Sequence, residues 1–185
     1  MSQVSVCVYC GSRDGKDPAY GAAAEALGQG LAARGWRLVY GAGDVGLMGR
    51  VARAAQAAGG ETFGVIPTHL VDLEVGKTDL TRFVITETMH ERKKVMLMNA
   101  DAVVLLPGGA GSLDEFFEAV TWRQLGLHNK PILAINTGGY WDPLMDLMRH
   151  VVDQGFADMS TVEMVTLVPD ADAAFSALEG LLNGS

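Results

Sequence analysis

The segment that most constrains the fold is an apolar run at residues 102–106, which leads at once into a glycine-dense turn. A continuous apolar run of this length is typical of a strand buried on both faces of a parallel sheet. The turn is Pro107-Gly108-Gly109-Ala110-Gly111, and Ser112 is predicted to open a helix. The apolar side of that helix would carry Phe116, Phe117, Val120 and Leu125. Glycines let the backbone approach a phosphate and the N–H groups of a first helical turn point at it, so the segment predicts an anion site.

The rest of the chain repeats the order strand, turn, helix. The predicted strands span residues 4–9, 36–40, 62–66, 83–86, 102–106, 131–135 and 162–168. Besides the helix opened by Ser112, the predicted helices span residues 18–34, 47–58, 89–100, 141–154 and 170–182, the last capped by Asp170. This alternation predicts an α/β fold: a doubly wound, Rossmann-like parallel sheet of about seven strands with helices on both faces. No linker or repeat interrupts the sequence, so we expect a single nucleotide-binding domain over residues 1–185.

Glycine-containing turns follow directly after several of the predicted strands. They are Gly11-Ser12, Gly41 to Gly46, Gly108 to Gly111 and Gly138-Gly139. In open parallel sheets, ligands bind beyond the carboxyl ends of the strands, where the strand order reverses. We therefore expect these turns to meet at one edge of the sheet and to form a single site.

Composition and charge exclude several classes of partner. The net charge is -8, so a nucleic-acid polymer is not expected to bind, whereas a single nucleotide needs only local donors. No apolar stretch approaches the ~18 residues of a membrane span, and the N-terminus lacks a signal-peptide pattern. Cys7 and Cys10 have C-x-x-C spacing but do not open a helix, which favours buried thiols in a reducing compartment over a redox pair. We expect a cytoplasmic protein without a membrane partner.

The second glycine-rich turn, Gly41-Ala42-Gly43-Asp44-Val45-Gly46, fits the G-x-G-x-x-G template of dinucleotide-binding proteins. That template also needs an acidic residue at the end of the next strand, and the predicted strand ends instead at Ile66-Pro67. Asp44 would also repel a phosphate lying on the turn. A packing turn, or a wall near the sugar or base, is therefore favoured over a dinucleotide site.

Glu115 has two interpretations that the sequence leaves open. Ser112 to Glu115 fits the capping box S-x-x-E, in which the glutamate carboxylate turns back to the backbone of the serine. Alternatively, Glu115 faces the cleft and acts on a substrate held by the glycines. Both interpretations place it in the first helical turn beside the anion site.

Two further segments are expected at the same edge. The basic segment at residues 89–94 begins just beyond a strand, where Arg92 offers a planar fork suited to a phosphate or a sugar. Residues 68–81 show little periodicity and are a candidate flap beside the site. Nowhere do His, Cys, Asp and Glu have metal-ligand spacing, so no metal is implied.

The chain resembles the Lonely Guy (LOG) family of cytokinin-activating phosphoribohydrolases, long labelled lysine decarboxylases. The family hallmark P-G-G-x-G-T-x-x-E appears at residues 107–115, and a second hallmark, M-H-x-R-K, at residues 89–93. Further matches are Cys10-Gly11-Ser12, Gly46-Leu47-Met48-Gly49, Thr121-Trp122, Gln124-Leu125-Gly126, His128 and Lys130-Pro131. Each piece is common, but their joint order and spacing are specific.

The resemblance implies hydrolysis of the N-glycosidic bond of a nucleoside 5′-monophosphate, with N6-substituted adenine as the typical base. It implies Glu115 and Arg92 as the catalytic pair, no cofactor, and a homodimer with the site near its interface. The substrate-binding residues that it implies are Gly11, Ser12, Gly43, Met89, Lys93, Gly108, Gly109, Gly111 and Ser112.

The departures from the family pattern are small, and the rival functions are distinct. Ser112 replaces the usual threonine, while Ala42 and Asp44 replace smaller residues, which bears on base preference rather than on reaction type. The alternative function is that of a non-catalytic carrier similar to the molybdenum-cofactor carrier proteins, and the joint presence of Arg92 and Glu115 favours the enzyme. A decarboxylase would need pyridoxal phosphate, for which no lysine has an obvious Schiff-base context.

Overall fold

The expected alternation of strands and helices is observed in a computed structural model of the protein, which describes residues 3–71 and 76–183. The strands are β1 Ser5–Tyr9, β2 Arg37–Tyr40, β3 Thr62–Pro67, β4 Arg82–Thr86, β5 Ala102–Leu105, β6 Ile132–Ile135 and β7 Val165–Val168. The helices are α1 Pro18–Ala33, α2 Gly46–Ala57, α3 Met89–Met98, α4 Ala110–Gln124, α5 Asp142–Asp153, α6 Met159–Glu163 and α7 Ala171–Asn183. Short 3₁₀ turns span Thr68–Leu70 and Thr137–Gly139.

Within residues 3–71 and 76–183, all the strands lie in one parallel sheet of 7 strands with the order β4-β3-β2-β1-β5-β6-β7. The chain builds outward from β1 on one side through β4 and then returns to the other side at β5. The order therefore reverses between β1 and β5, which is where a ligand crevice is expected in such folds. This confirms the predicted doubly wound, Rossmann-like architecture.

Two apolar layers cover the sheet, because the side chains of each strand alternate between its faces. Val6 and Val8 of β1 pack with side chains of α1, α2 and α7, whereas Cys7 and Tyr9 pack on the opposite face with α3, α4 and α5. Burial on both faces explains why β1 and β5 appear in the sequence as continuous apolar runs. No helix within the two described ranges is long and apolar enough to cross a membrane.

Most element boundaries agree with the sequence to within a few residues. Asp170 caps α7 as expected, since its carboxylate accepts a hydrogen bond from the N–H of Ala173 at 2.9 Å. The last strand was placed too early, because residues 159–163 form the short helix α6 and β7 begins only at Val165. The carbonyl of Met164 accepts a hydrogen bond from Arg123 at 2.9 Å, which ties the end of α6 to α4.

Candidate active site

A cavity of about 430 Å³ lies at the carboxyl ends of β1 and β5, at the expected reversal of strand order. The turns after these strands are joined directly, because the N–H of Gly11 donates a hydrogen bond to the carbonyl of Pro107 at 3.0 Å. The predicted site residues that line the cavity are Gly11, Ser12, Met89, Arg92, Gly108, Gly109, Gly111, Ser112 and Glu115. The fold therefore brings segments far apart in the sequence to one place.

The floor of the cavity is the amino end of α4. The first backbone hydrogen bond of this helix runs from the N–H of Leu113 to the carbonyl of Gly109, at 3.1 Å. The N–H groups of Ala110, Gly111 and Ser112 precede that bond and so have no partner within the helix. Together with the positive end of the helix dipole, they make this a site for a phosphate oxygen.

The glycines of the turn have two different roles. A Cβ on Gly108 would lie 2.1 Å from Ser112 Oγ and 2.9 Å from the backbone N of Gly11, so only glycine fits there. A Cβ on Gly109 or Gly111 would meet no described atom within 4 Å. Gly108 is therefore required for packing between the two turns, whereas Gly109 and Gly111 leave space within the cavity.

The prediction that Ser112 opens the helix is wrong, and with it the capping-box interpretation of Glu115. Helix α4 begins at Ala110, and its N-cap is Gly109, which has no side chain to cap it. Glu115 consequently lies in the second turn of the helix rather than in the first. A capping box does form at the start of α3, between Thr88 and Glu91.

Arg92 is a buried cation held by backbone carbonyls. Its exposed fraction is 3%, and its Nε donates to the carbonyl of Val65 at 3.0 Å while Nη2 donates to that of Gly41 at 2.6 Å. A Cβ on Gly41 would lie 2.2 Å from Nη2, so this glycine makes room for the guanidinium. Arg92 and Glu115 line the same cavity, and the sheet fixes the position of the cation before any substrate binds.

Lys93 and Gly43 do not belong to the cavity wall in the part of the chain that the structure describes. Lys93 is 5% exposed, and its ammonium lies 3.0 Å from Asp114 Oδ2 and 2.9 Å from Glu118 Oε2. Gly43 forms an isolated antiparallel bridge with Gly76. The resemblance implies that both residues bind substrate, which stays a prediction; the structure shows their contacts with neighbouring parts of the protein.

The second glycine-rich turn is a packing turn, one of the two roles favoured from sequence. Gly46 has a positive φ of 56°, and a Cβ there would lie 2.3 Å from the backbone of Ser12 and Arg13. Ala42 also adopts a left-handed conformation, with φ 58°, which is unusual for a residue with a side chain. Both features arise from the close approach of this turn to its neighbours.

Sequence reasoning missed several residues of the cavity wall. The hydroxyl of Tyr140 donates to the carbonyl of Gly108 at 2.6 Å, and its ring packs edge-on against Tyr20 at 5.3 Å. The signal available was the preceding Gly138-Gly139 turn, which was placed at the correct edge without a side chain being assigned. The wall also includes the charged residues Arg13 and Asp14 and an apolar part formed by Leu47, Met48, Leu70 and Met89.

Residues 68–81 were expected to form a flap, and residues 72–75 lie outside the described part of the chain. Leu70 reaches the cavity wall. Beyond the gap, the N–H of Lys77 donates to the carbonyl of Ala42 at 2.8 Å, and its ammonium lies 2.8 Å from Asp79. The hydrogen bond from Lys77 lowers the pKa of Asp79. The bond to the carbonyl of Ala42 fastens this end of the segment to the turn after β2.

Burial determines the protonation of two titratable groups of β1, Cys7 and Tyr9. Burial raises the pKa of the Cys7 thiol and of the Tyr9 phenol, and the negative charge of Glu115 raises both further. Both groups are therefore neutral at physiological pH, and Cys7 and Cys10 are buried thiols as expected. Within the described ranges, no group of three or more His, Cys, Asp or Glu side chains is arranged to hold a metal ion.

Comparison with known proteins gives concordant matches. A family model described as possible lysine decarboxylase matches residues 48–178. A cytokinin riboside 5′-monophosphate phosphoribohydrolase of Rhodococcoides fascians is 41% identical over 175 residues, covering 94% of this chain and 88% of that protein. One from Arabidopsis thaliana is 40% identical, covering 94% of this chain and 76% of that protein. Among solved structures, the Moco carrier protein of Chlamydomonas reinhardtii matches with a TM-score of 0.77 at 20% identity, covering 100% of both chains, and this likeness shows the fold alone.

Proposed function

The chain belongs to the LOG family of phosphoribohydrolases, and from that membership we propose that it hydrolyses the N-glycosidic bond of adenosine 5′-monophosphates, particularly those substituted on N6. The products would be the free base, an active cytokinin, and ribose 5-phosphate. The observation that carries this proposal is the meeting of Arg92, Glu115 and the amino end of α4 in one cavity. An anion site with a carboxylate and a fixed cation beside it suits cleavage of a phosphorylated nucleoside.

We propose that the 5′-phosphate binds the N–H groups of Ala110, Gly111 and Ser112. These groups belong to the same helix as Glu115, so a bound phosphate holds the ribose at a set position relative to that carboxylate. Binding energy from the phosphate, which takes no part in the bond cleavage, then orients the reacting carbon. The turn residues Gly11 and Ser12 complete this end of the site.

The chemical step would be direct displacement by water. The bond between C1′ and the base nitrogen breaks, and its electron pair leaves with the base, which takes up a proton. The ribose acquires oxocarbenium character, which the Glu115 carboxylate stabilises. The same carboxylate accepts a proton from the attacking water as its oxygen bonds to C1′, and it then releases that proton to solvent, which supplies the one that the base takes up. Arg92, held by the carbonyls of Val65 and Gly41, would orient Glu115 and contact the sugar.

The apolar part of the wall supports binding of a purine with an apolar N6 substituent. Leu47, Met48, Leu70 and Met89 line the cavity together with Arg92 and Glu115. Apolar and thioether side chains adapt well to flat rings and branched alkyl chains. Met89 would thus contact the base as part of the substrate-binding set.

The decisive experiment measures base release by chromatography from AMP, isopentenyladenosine monophosphate and adenosine. We expect both monophosphates to be hydrolysed, and adenosine to react at a small fraction of their rate because it lacks the phosphate that orients the ribose. Comparable turnover of AMP and adenosine would contradict the assigned phosphate site. Binding of nucleotides without any base release would favour the carrier function instead, for which a fold likeness at 20% identity is the weaker support.

We also propose that the protein is a cytoplasmic homodimer. Apolar side chains exposed on and after α3 and α4 support the dimer: Met98 is 68% exposed, Leu125 68% and Leu127 66%. The buried thiols Cys7 and Cys10 suit a reducing compartment. Light scattering coupled to size-exclusion chromatography tests the dimer, and a monomeric mass would contradict it.

A further inference from the structure

Helices α3 and α4 each carry one member of the proposed catalytic pair, and each has a charged neighbour beside it. Arg92 precedes Lys93 on α3, and Glu115 follows Asp114 on α4. The ammonium of Lys93 lies 3.0 Å from Asp114 Oδ2 and 2.9 Å from Glu118 Oε2. The ion pairs thus join the two helices at the residues next to the catalytic pair.

The surroundings of Lys93 favour a fixed geometry over a flexible surface contact. Its side chain is 6% exposed, and that of Glu118 is 20% exposed. Asp114 and Glu118 are four residues apart on α4 and therefore present their carboxylates on one side of the helix. Burial lowers the pKa of Lys93, but its hydrogen bonds to Glu118 and Asp114 outweigh that effect and keep the ammonium charged.

The other attachments of the two helices explain why this link matters. Arg92 ties α3 to the sheet through the carbonyls of Val65 and Gly41. Helix α4 is held by the burial of Phe116 and Val120, in the same core layer that buries Met96 and Leu97 of α3. The Lys93 ion pairs add a direct connection between these two helices, at residues that do not line the cavity in the described structure. A small displacement of one helix would misalign the carboxylate from the sugar, at a cost in rate.

We propose that Lys93, together with Glu118 and Asp114, is a positioning residue that sets the alignment of Arg92 with Glu115, rather than a substrate-binding residue. This inference rests on the proposed function. It differs from the expectation for Lys93 because the ammonium is already saturated by two carboxylates and does not line the cavity in the described structure.

The test compares Lys93→Met, Glu118→Gln and the double variant with the wild type. We measure kcat per folded molecule, KM for AMP, and the Kd of ribose 5-phosphate, a product whose binding requires no turnover. Lys93→Met should lower kcat about tenfold to hundredfold, because the catalytic pair loses its alignment. The Kd of ribose 5-phosphate should stay within about twofold, since the phosphate site is unchanged. Lys93→Arg, which keeps the charge and the pairing, should retain most of kcat.

The double variant tests whether Lys93 affects kcat through Glu118. If Lys93 acts through Glu118, then Lys93→Met with Glu118→Gln should be little slower than Lys93→Met alone, because interacting residues are not additive. Should Lys93→Met fail to fold, Glu118→Gln leaves Lys93 paired with Asp114 and should itself lower kcat several-fold with unchanged ribose 5-phosphate binding.

Specific outcomes would overturn the inference. A tenfold weaker binding of ribose 5-phosphate by Lys93→Met would identify a substrate contact, on the order of one lost charged hydrogen bond. Unchanged kcat per folded molecule in the variants would leave Lys93 a merely structural residue, and additive losses in the double variant would contradict its action through Glu118. If the wild type releases no base from any nucleotide, the proposed function itself fails. If the wild type is active and the variants do not behave as expected, only the inference about Lys93 fails.

Discussion

Helices α3 and α4 both carry a hydroxyl residue followed three positions later by glutamate, and they use this pattern in opposite ways. At α3, Thr88 Oγ accepts from the N–H of Glu91 at 3.2 Å, and the Glu91 carboxylate accepts from the N–H groups of Glu87 and Thr88 at 2.8 and 3.3 Å. At α4, the helix begins before Ser112, at Ala110, so Glu115 is carried a turn further on.

The difference shows that the position of a helix start determines whether a glutamate caps the helix or lines the cavity. The capping box of α3 satisfies the N–H groups of Glu87, Thr88 and Glu91 within the protein. The glycine turn before α4 supplies no capping side chain, so that the corresponding groups are directed to the cavity. A carboxylate bonded to those N–H groups would compete with a phosphate for the same donors. The early start of α4 thus keeps the anion site open and sends Glu115 to the cavity wall.

The largest expected effect comes from the same substitution at both glutamates. Glu115→Gln should lower kcat by about 10²–10⁴-fold, because it removes the proton acceptor and the charge that stabilises the transition state. Glu91→Gln is the matched control and should change kcat little, since glutamine also fits a capping box. Single-turnover release of adenine from AMP measures both variants. Full activity in Glu115→Gln would mean that the two glutamates do not differ in the way proposed.

The fold could be predicted from the sequence because the central β strands are continuous apolar runs, a pattern that can be recognised locally. The apolar runs of β1 and β5 are buried on both faces. Their apolar composition alone is enough to predict this burial. The error at α6 has a local cause. Val162 continues into the β-branched segment of β7, and nothing in that short stretch distinguishes a single helical turn from the first residues of a strand.

The site was predicted in outline but not in the direction of its side chains. The glycine turn is a local signal, so the anion site was visible from sequence. The true start of α4 was not visible, because Ser112 to Glu115 matches a capping box whereas the actual N-cap, Gly109, has no side chain that would indicate a helix start. The orientation of Lys93 depends on carboxylates of another helix, which no pattern within α3 indicates.

A smaller effect is expected from placing alanine at the second position of each helix. Gly111→Ala should raise KM for AMP about tenfold, because the new Cβ occupies open cavity space where the phosphate would lie. Its free energy of unfolding should not fall, since alanine favours a helix over glycine by about 1 kcal/mol. His90→Ala changes the equivalent position of α3, which is exposed and outside the cavity wall, and should leave KM unchanged. Steady-state kinetics and thermal unfolding distinguish a blocked site from a misfolded protein.

The smallest expected effects come from the two hydroxyl groups, and they should move different observables. Thr88→Ala removes the side-chain acceptor for the N–H of Glu91 and should lower the free energy of unfolding by about 1 kcal/mol, with kcat nearly unchanged. Ser112 is not a cap, so Ser112→Ala should cost less stability. Its hydroxyl lies in the cavity wall, and its loss should raise KM for AMP several-fold. Denaturant unfolding and KM are measured on both variants, and we expect Thr88→Ala to change mainly the first and Ser112→Ala mainly the second. Equal losses of stability would mean that Ser112 supports the start of α4 as Thr88 supports that of α3, and the contrast between the two helices would then rest on Glu115 alone.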